Sequence, residues 1–147
     1  MHRTVLLAFG VLCSAGVAMA KDRLAGPVAA DVIRAIDGDT IEVRATIWIG
    51  QELTTAVRLR GIDAPELHGK CPMEKAKAAE AAEHLAVIAR GSVQLTNVEN
   101  DKYGGRVIAD VTDETGETLS ARMLASGLVH PYDGGERAPW CGLASAG

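Results

Sequence analysis

The sequence predicts one α+β domain made mainly of strands, and three observations support that class. Five segments have the alternating or β-branched character of strands, whereas only two have helical periodicity. Turn signals containing Gly or Pro separate these segments at short intervals. The chain has 147 residues, which is enough for one domain with a hydrophobic core and too few for two.

The first three predicted strands form a meander. They are expected at residues 28–36, 41–45 and 53–60. In the second strand, apolar residues alternate with charged ones, as they should in a half-buried strand. Asp37-Gly38 and Gly50-Gln51 supply the turn signals between the strands.

A helix is predicted next, from Met73 to Ala89. Pro72 precedes it at a position where the first helical turn tolerates proline, and Gly91 follows its end. One face of this helix is apolar, and the charged side chains, Glu74 among them, lie mostly outside that face. The apolar face consists of Ala78, Ala81, Ala82, Leu85 and Ile88.

Two more strands and a second helix complete the domain. The strands are expected at residues 92–98 and 106–112. Thr118 can cap a helix that ends at Gly127. Beyond Tyr132 the chain is rich in Gly, Pro and Ala and is expected to be irregular.

The resulting order, β-β-β-α-β-β-α, is typical of the OB-fold, a five-stranded and partly open barrel. One face of such a barrel and its loops bind oligonucleotides or oligosaccharides. Composition alone does not separate this barrel from other α+β folds. We expect Trp48 and Trp140 to be packing residues rather than platforms for base stacking, and Arg60 to be an exposed charge on a strand.

The N-terminus has the pattern of a signal peptide. A short basic head is followed by an apolar run through Val17 and by Ala18-Met19-Ala20, which is a small-residue cleavage signal. Residues 1–20 are therefore expected to be removed, leaving residues 21–147 as one domain in the periplasm or the medium. No later segment approaches 18 consecutive apolar residues, so the mature form is not expected to enter a membrane. We expect it to be a monomer.

Removal of the leader reduces the cysteines from three to two, Cys71 and Cys141. In an oxidising compartment an even number of cysteines favours a disulfide. That bond would close a loop of about 70 residues and contribute roughly 2–4 kcal/mol. The alternative is a zinc site formed by His68, the two cysteines and a second histidine, although no second paired spacing supports it.

The net charge is acidic. The formal value is −4, from 15 Lys and Arg against 19 Asp and Glu, and loss of Arg3 with the leader makes it about −5. This balance counts against a protein whose main task is to grip nucleic acid, because a basic stripe is expected there. It does not exclude an enzyme that needs only a local positive pocket.

Two short segments concentrate carboxylates and arginine: Asp37-Gly38-Asp39 and the run from Arg58 to Glu66, which contains Asp63. Clustered carboxylates repel one another unless a cation lies between them, and hard divalent cations prefer oxygen ligands. An arginine fork nearby suits a phosphate. The pattern favours a metal-assisted phosphodiester enzyme. Taken alone, Asp-Gly-Asp is more often an ordinary turn, so exposed turn acids remain the alternative.

The sequence resembles the staphylococcal nuclease (thermonuclease) family. The similarity covers residues 32–132, nearly all of the mature domain. It rests on three segments that occur in order, with a helix between the second and the third. These segments are Asp37–Thr40, Val57–Glu66 and Asp101–Arg106.

The resemblance implies a calcium cofactor, held by the carboxylates of Asp39 and Asp63 and by the backbone carbonyl of Ala64. The family has a threonine at the last position, so the alanine removes only an outer hydroxyl contact. Calcium takes six to eight oxygen ligands in loose geometry, which leaves room for substrate and water.

The resemblance also implies roles in catalysis and substrate binding. Glu66 matches the residue assigned as general base for the attacking water, and Arg58 and Arg106 match the two arginines that hold the reacting phosphate. Tyr103 matches a tyrosine beside the nucleotide phosphates. Lys102 and Tyr132 are further candidates for substrate contact. The alternative for Lys102 is an ordinary charged loop residue that does not contact the substrate. The implied substrates are DNA and RNA, with little sequence preference and 3′-phosphate products.

Two departures from the family pattern concern the site and the C-terminus. Gly104-Gly105 precedes Arg106, so this arginine is expected to be displaced by one residue. The C-terminal region is short and lacks a final long helix, and we predict that the Cys71–Cys141 bond replaces part of that constraint.

One competing class is a non-catalytic OB-fold module that binds nucleic acid or another ligand. It would be expected to have lost at least one member of the set Asp39, Asp63, Glu66, Arg58 and Arg106. Another is a structural or inhibitor-like periplasmic protein, which would explain the acidity and the disulfide but would leave the two arginines without a role.

Overall fold

The computed structural model describes residues 22–142 and confirms the α+β class. The predicted signal peptide, residues 1–20, lies outside the described residues, as do residues 143–147. Within residues 22–142 the structure has eight strands and two helices: β1 (Arg23–Leu24), β2 (Val28–Ala35), β3 (Thr40–Trp48), β4 (Gln51–Leu59), β5 (Ile62–Asp63), α1 (Pro72–Ile88), β6 (Ser92–Asn100), β7 (Arg106–Thr112), α2 (Leu119–Ser126) and β8 (His130–Pro131).

Five strands close into the mixed barrel expected of an OB-fold. β3 pairs antiparallel with β2 and β4, β4 runs parallel to β7, and β7 pairs antiparallel with β6. The pairing of β6 with β2 completes the ring. The two-residue strand β1 pairs antiparallel with β6, and β5 pairs with β8 in a separate small sheet. These three short strands were not predicted.

The barrel interior is apolar, as the alternation in the sequence predicts. The inward side chains of β3, Ile41 and Val43, are fully buried against Val57 and Leu59 of β4. α1 places Ala81 and Leu85 in the same core. Full burial of one such large aliphatic side chain contributes about 1.5–3 kcal/mol, so α1 is held mainly by this narrow apolar stripe.

Both helices begin and end close to the predicted residues. α1 begins with Pro72 at its first position. The hydroxyl of Thr118 accepts a hydrogen bond of 3.2 Å from the backbone N–H of Ala121, which confirms it as the cap of α2. α2 ends at Gly127, whose φ of 73° lies in the left-handed region that favours glycine.

The two tryptophans differ in their surroundings. Trp140 is buried and stacks on His130, with ring centroids 3.8 Å apart. The prediction for Trp48 is wrong, because 70% of this residue is exposed. It lies near the tip of the β3–β4 hairpin, where residues 46–54 are all exposed because the hairpin extends past the barrel core.

Between residues 22 and 142, neither helix is long and apolar enough to cross a membrane.

Candidate active site

One cavity of about 370 Å³ contains the predicted catalytic and substrate-binding residues. Its lining includes Arg58, Glu66, Lys102, Tyr103, Arg106 and Tyr132. Two predicted metal ligands, Asp39 and Ala64, line the same cavity. The third, Asp63, is buried and hydrogen-bonded to the lining residue Arg58. The structure therefore brings together residues that are up to 93 positions apart in sequence, from 39 to 132.

Asp39 is positioned by a tight turn that leads into β3. Its backbone N–H donates to the carboxylate of Asp37 at 3.0 Å. Gly38, between them, approaches α1 very closely: a Cβ at this position would lie 2.7 Å from that of Ala81 and 2.8 Å from that of Ala64. A side chain here would push the turn away from the helix, and Asp39 with it.

The Asp39 carboxylate is buried and accepts three hydrogen bonds. The donors are the Thr40 hydroxyl at 2.9 Å, Arg58 Nη2 at 3.0 Å and the Ala64 N–H at 3.1 Å. Burial nevertheless raises the pKa of Asp39 to about 6, against the lowering effect of Arg58, and the charge of Asp37 adds to the rise. The negative charge here is thus incompletely compensated by the protein.

Asp63 lies on β5 and is only 1% exposed. Its Oδ1 oxygen is 3.3 Å from Arg58 Nη2 and 2.7 Å from Arg137 Nε. Its Oδ2 oxygen is buried and has no hydrogen-bond partner among the described residues. A buried carboxylate oxygen without a partner is costly, and a bound cation would remove that cost.

These oxygens fit a hard divalent cation. Asp39 and Asp63 supply carboxylates, one of them with an unpartnered oxygen, and Ala64 supplies a carbonyl within the same group. Oxygen donors of this type, with net negative charge and an open side toward a cavity, are those that calcium uses.

Both cysteines of the alternative zinc site form the Cys71–Cys141 disulfide, with their Cα atoms 6.0 Å apart. The predicted disulfide is confirmed and the zinc alternative is wrong.

Arg58 and Arg106 lie on the neighbouring parallel strands β4 and β7. Arg58 is opposite Ile108, and Arg106 precedes Ile108 by two residues, so both arginines project from the same face of the sheet. Gly104-Gly105 is accommodated in the β6–β7 turn, where Gly105 has a φ of 86°. The predicted displacement of Arg106 is therefore absorbed by the loop, and Arg106 still lines the cavity.

Arg106 is oriented by a carboxylate at the end of β6. Its Nε donates to Asp101 Oδ2 at 2.6 Å. Burial acts to raise the pKa of Asp101, but the hydrogen bond and charge of Arg106 outweigh it and leave the pKa below its usual value. Asp101 therefore remains ionised and holds the guanidinium in place.

Glu66 lies on the loop between β5 and α1, at the cavity rim, with 57% of its side chain exposed. The loop is held by Glu74 of α1, whose carboxylate accepts hydrogen bonds from the backbone N–H of Glu66 at 3.3 Å and from that of Lys70 at 2.9 Å. Glu74 is buried, so the expectation that it lies outside the buried face of α1 is wrong. Its burial is explained by the loop amides, which need an acceptor.

Arg137 is a site residue that the sequence analysis missed. Its guanidinium lies 2.7 Å from Asp63 Oδ1 and 3.1 Å from the Ala64 carbonyl, and it also donates to Glu66 Oε1. Burial opposes the charged form, but hydrogen bonds and the charges of Asp63 and Glu66 outweigh it and raise the pKa of Arg137. Arg137 is therefore a permanent positive charge beside the carboxylates of Asp39, Asp63 and Glu66, which we call the acidic cluster.

The aromatic and basic rim residues surround the arginines. Tyr132 lies beneath Arg58, with 5.4 Å between the guanidinium carbon and the ring centroid. Tyr103 is 60% exposed and is flanked by Lys102 and Arg106 at 5.1 and 5.3 Å. An exposed ring among cations suits contact with a nucleotide.

Arg60 differs from its prediction as an exposed strand charge. The side chain is 30% exposed and lines the cavity. Its Nη2 donates to the Asn97 carbonyl at 2.6 Å, and its Nε lies 3.3 Å from Asp110. Arg60 directly follows β4 and contacts residues of β6 and β7. It therefore links these strands at the end of the barrel that carries the cavity.

The fold and the cavity define an OB-fold protein with a cavity that is lined by arginines and carboxylates. The sequence profile of the family described as "Staphylococcal nuclease homologue" matches residues 56–137. A curated relative named "Micrococcal nuclease", from Shigella flexneri, is 34% identical over 110 residues, which cover 69% of this chain and 57% of the relative. The chain belongs to the staphylococcal nuclease homologue family, and it spans 57% of the length of that relative.

Proposed function

We propose that the protein is an exported, calcium-dependent nuclease that hydrolyses phosphodiester bonds of DNA and RNA with low sequence specificity, leaving 3′-phosphate ends. The observation that carries the proposal is the joining of Arg58, Arg106 and Glu66 at one cavity, next to the buried carboxylates of Asp39 and Asp63. Family membership supports the same reaction class.

Glu66 is the general base in this proposal. Its side chain is at the exposed rim, where a water molecule reaches it, and its backbone is held by Glu74. A carboxylate in hydrogen-bond reach of the attacking water accepts its proton as the bond to phosphorus forms, and such catalysis contributes about 10²–10⁴-fold. A calcium ion held by Asp39, Asp63 and the Ala64 carbonyl would neutralise phosphate charge and lower the pKa of a bound water.

Arg58 and Arg106 hold the phosphate and stabilise the charge that builds on its non-bridging oxygens. A guanidinium has five N–H groups, so Arg58 can contact Asp39 and Asp63 through Nη2 and still donate to a phosphate. Arg106 is oriented in the same way by Asp101. Preplaced donors stabilise the transition state more than the ground state, which raises the rate of the chemical step.

The rim residues bind the rest of the nucleotide chain. Lys102 contacts a phosphate, and Tyr103 and Tyr132 contact the sugar-phosphate or a base face. These contacts are not specific for a base edge, which accounts for low sequence preference. Five basic side chains line the cavity, so a protein that is acidic overall can bind its substrate locally and release product quickly.

The proposal includes export and action as a monomer. The leader at residues 1–20 would direct residues 21–147 to the periplasm or the medium. The Cys71–Cys141 disulfide supports an oxidising compartment.

The test is digestion of denatured DNA and of RNA by the purified protein, with calcium or with a chelator, followed as acid-soluble product. Calcium should support turnover and the chelator should abolish it. Glu66→Gln should reduce kcat by about 10²–10⁴-fold with only a small change in the melting temperature. Glu80→Gln, on the exposed face of α1, is the matched control and should have wild-type turnover.

The products identify the bond that is cleaved. If 3′-phosphates are formed, the new 5′ ends carry free hydroxyls, and a polynucleotide kinase will label them without prior phosphatase treatment. Binding of DNA without any product, in calcium, would replace the proposal with the non-catalytic OB-fold module. Wild-type turnover by Glu66→Gln would remove Glu66 from the mechanism.

A further inference from the structure

Arg137 contacts two groups that the cation would need, the Asp63 carboxylate and the Ala64 carbonyl. Its three nitrogens reach Asp63 Oδ1 at 2.7 Å, the Ala64 carbonyl at 3.1 Å and the Glu66 carboxylate. Asp63 and Ala64 are two of the three residues that fit a divalent ion. A guanidinium donates protons to the lone pairs that a metal ion would accept, so one oxygen lone pair cannot serve both.

While Arg137 stays in place, a metal ion has only one oxygen of the Asp63 carboxylate available to it. Oδ1 accepts from both Arg58 and Arg137, whereas the buried Oδ2 has no partner among the described residues. A doubly charged ion bound by Asp63 and the Ala64 carbonyl would lie beside the Arg137 guanidinium. Like charges at such short range repel strongly in a partly buried site.

The Arg137 side chain can move away from the carboxylates, whereas the Arg58 side chain is fixed by its strand. Arg58 projects from a barrel strand and its side chain is 11% exposed. The Arg137 side chain is 42% exposed, and it belongs to residues 133–139, which are all exposed and form neither helix nor strand. Release of the Arg137 side chain into the cavity therefore disturbs no buried packing.

The ends of the Arg137 segment are nevertheless fixed. On one side the Tyr132 N–H donates to the Gly61 carbonyl at 2.9 Å. On the other side Trp140 is buried, and Cys141 is bonded to Cys71. The guanidinium is therefore held at high effective concentration over the acidic cluster, which is the arrangement of a tethered competitor.

We propose that Arg137 is a built-in competitor of the divalent cation: its guanidinium holds the metal-free donor oxygens together, and the ion must displace it to bind. This inference rests on the proposed function, because it concerns the same cation site. The competition gives the site a higher threshold for metal than its carboxylates alone would set. It also keeps the acidic cluster neutralised, and the loop ordered, before the metal arrives.

The main test is calorimetric titration of the purified protein with calcium at low salt, without substrate. Arg137→Gln should bind calcium with a Kd roughly tenfold lower than wild type, which corresponds to a guanidinium that occupies the oxygens in roughly nine molecules of ten. Arg44→Gln is the matched control, because it removes the same charge from an exposed strand position, where Arg44 pairs with Asp31 and Glu52. Its Kd should stay within twofold of wild type.

A second measurement on wild-type protein does not depend on the folding of a variant. The ¹⁵N resonance of the Arg137 Nε–H should shift, and its hydrogen exchange should accelerate, as calcium is added. In chelator, Arg137→Gln should melt at a lower temperature than Arg44→Gln, and calcium should raise its melting temperature more.

The outcomes distinguish the competition by Arg137 from the existence of the cation site itself. Equal or weaker calcium binding by Arg137→Gln, with binding by wild type, overturns the competition and leaves the cation site intact. An Arg137 Nε–H signal that is unchanged at saturating calcium overturns it as well. Absence of calcium binding in both wild type and Arg137→Gln removes the cation site, and with it both the proposed cofactor and the competition.

Discussion

Arg58 Nη2 lies 3.0 Å from Asp39 Oδ2, and this ion pair joins the two sequence segments that carry the site. The register of the barrel produces it: Arg58 on β4 is opposite Thr40, the first residue of β3, so Asp39 immediately before this strand is within reach. The same nitrogen is 3.3 Å from Asp63. The proposed phosphate-binding arginine therefore also orients the proposed metal ligands.

Arg58→Lys separates these two tasks. A lysine keeps the positive charge between Asp39 and Asp63 but lacks the planar fork that binds a phosphate through two N–H groups. We expect kcat to fall by about 10²–10³-fold, or roughly 3–4 kcal/mol of transition-state stabilisation. The melting temperature should change little. Steady-state kinetics and thermal unfolding measure both, with Arg44→Lys as the control, and turnover within threefold of wild type would contradict the role of Arg58.

Glu74 is expected to position Glu66. Glu74→Gln leaves only one acceptor oxygen for the two backbone N–H groups of Glu66 and Lys70. An unsatisfied donor costs about 1–3 kcal/mol when it is fully buried, and these partly buried N–H groups should cost less. Because the loop that carries Glu66 becomes mobile, kcat should fall while KM stays close to wild type. Urea unfolding and steady-state kinetics test this, and an unchanged kcat would make Glu74 purely structural.

The sequence predicts the barrel because its signals are local. Alternation marks the strands, and Thr118 and Gly127 bound α2 through their own hydrogen bond and backbone conformation. β5 and β8 carry no such signal: each has two residues, and they pair only because the folded chain brings Ile62 opposite Pro131. Tertiary contact forms these strands, so no local pattern could have predicted them.

The site was predictable where its residues belong to turn or strand motifs, and it was missed where tertiary structure places the residue. Glu74 has the pattern of an exposed helix charge and is buried because the loop above it needs an acceptor. Arg137 lies in a segment without periodicity. A signal for it did exist: Cys71 follows Glu66 by five residues and Cys141 follows Arg137 by four, so the predicted disulfide brings these two charges together.

Asp113 should make stability depend on acid pH. The Thr115 hydroxyl is the largest cause that lowers the pKa of Asp113; burial opposes it, and Arg122 at 2.6 Å lowers the pKa further. A folded pKa below the unfolded value of about 3.9 gives stability that is present above that pH and is lost as pH falls through the folded pKa. Asp113→Asn should therefore be destabilised relative to wild type at pH 7, and the difference should shrink as the pH is lowered below about 4. Chemical unfolding at several pH values measures it, and a difference independent of pH would contradict the assignment.

The Cys71–Cys141 disulfide should support both stability and the position of Arg137. It fixes the C-terminal segment to the residue that precedes α1, and loss of the bond removes a constraint of about 2–4 kcal/mol on the unfolded chain. Replacement of both cysteines by serine should lower the melting temperature, and a reducing agent should do the same to wild type while leaving the double variant unchanged.

Without the disulfide the Arg137 segment is tethered at only one end, so its effective concentration over the acidic cluster falls. The double variant should consequently bind calcium more tightly than wild type, toward the affinity of Arg137→Gln. A lower melting temperature with unchanged calcium affinity would show that the bond stabilises the fold without holding Arg137 in place.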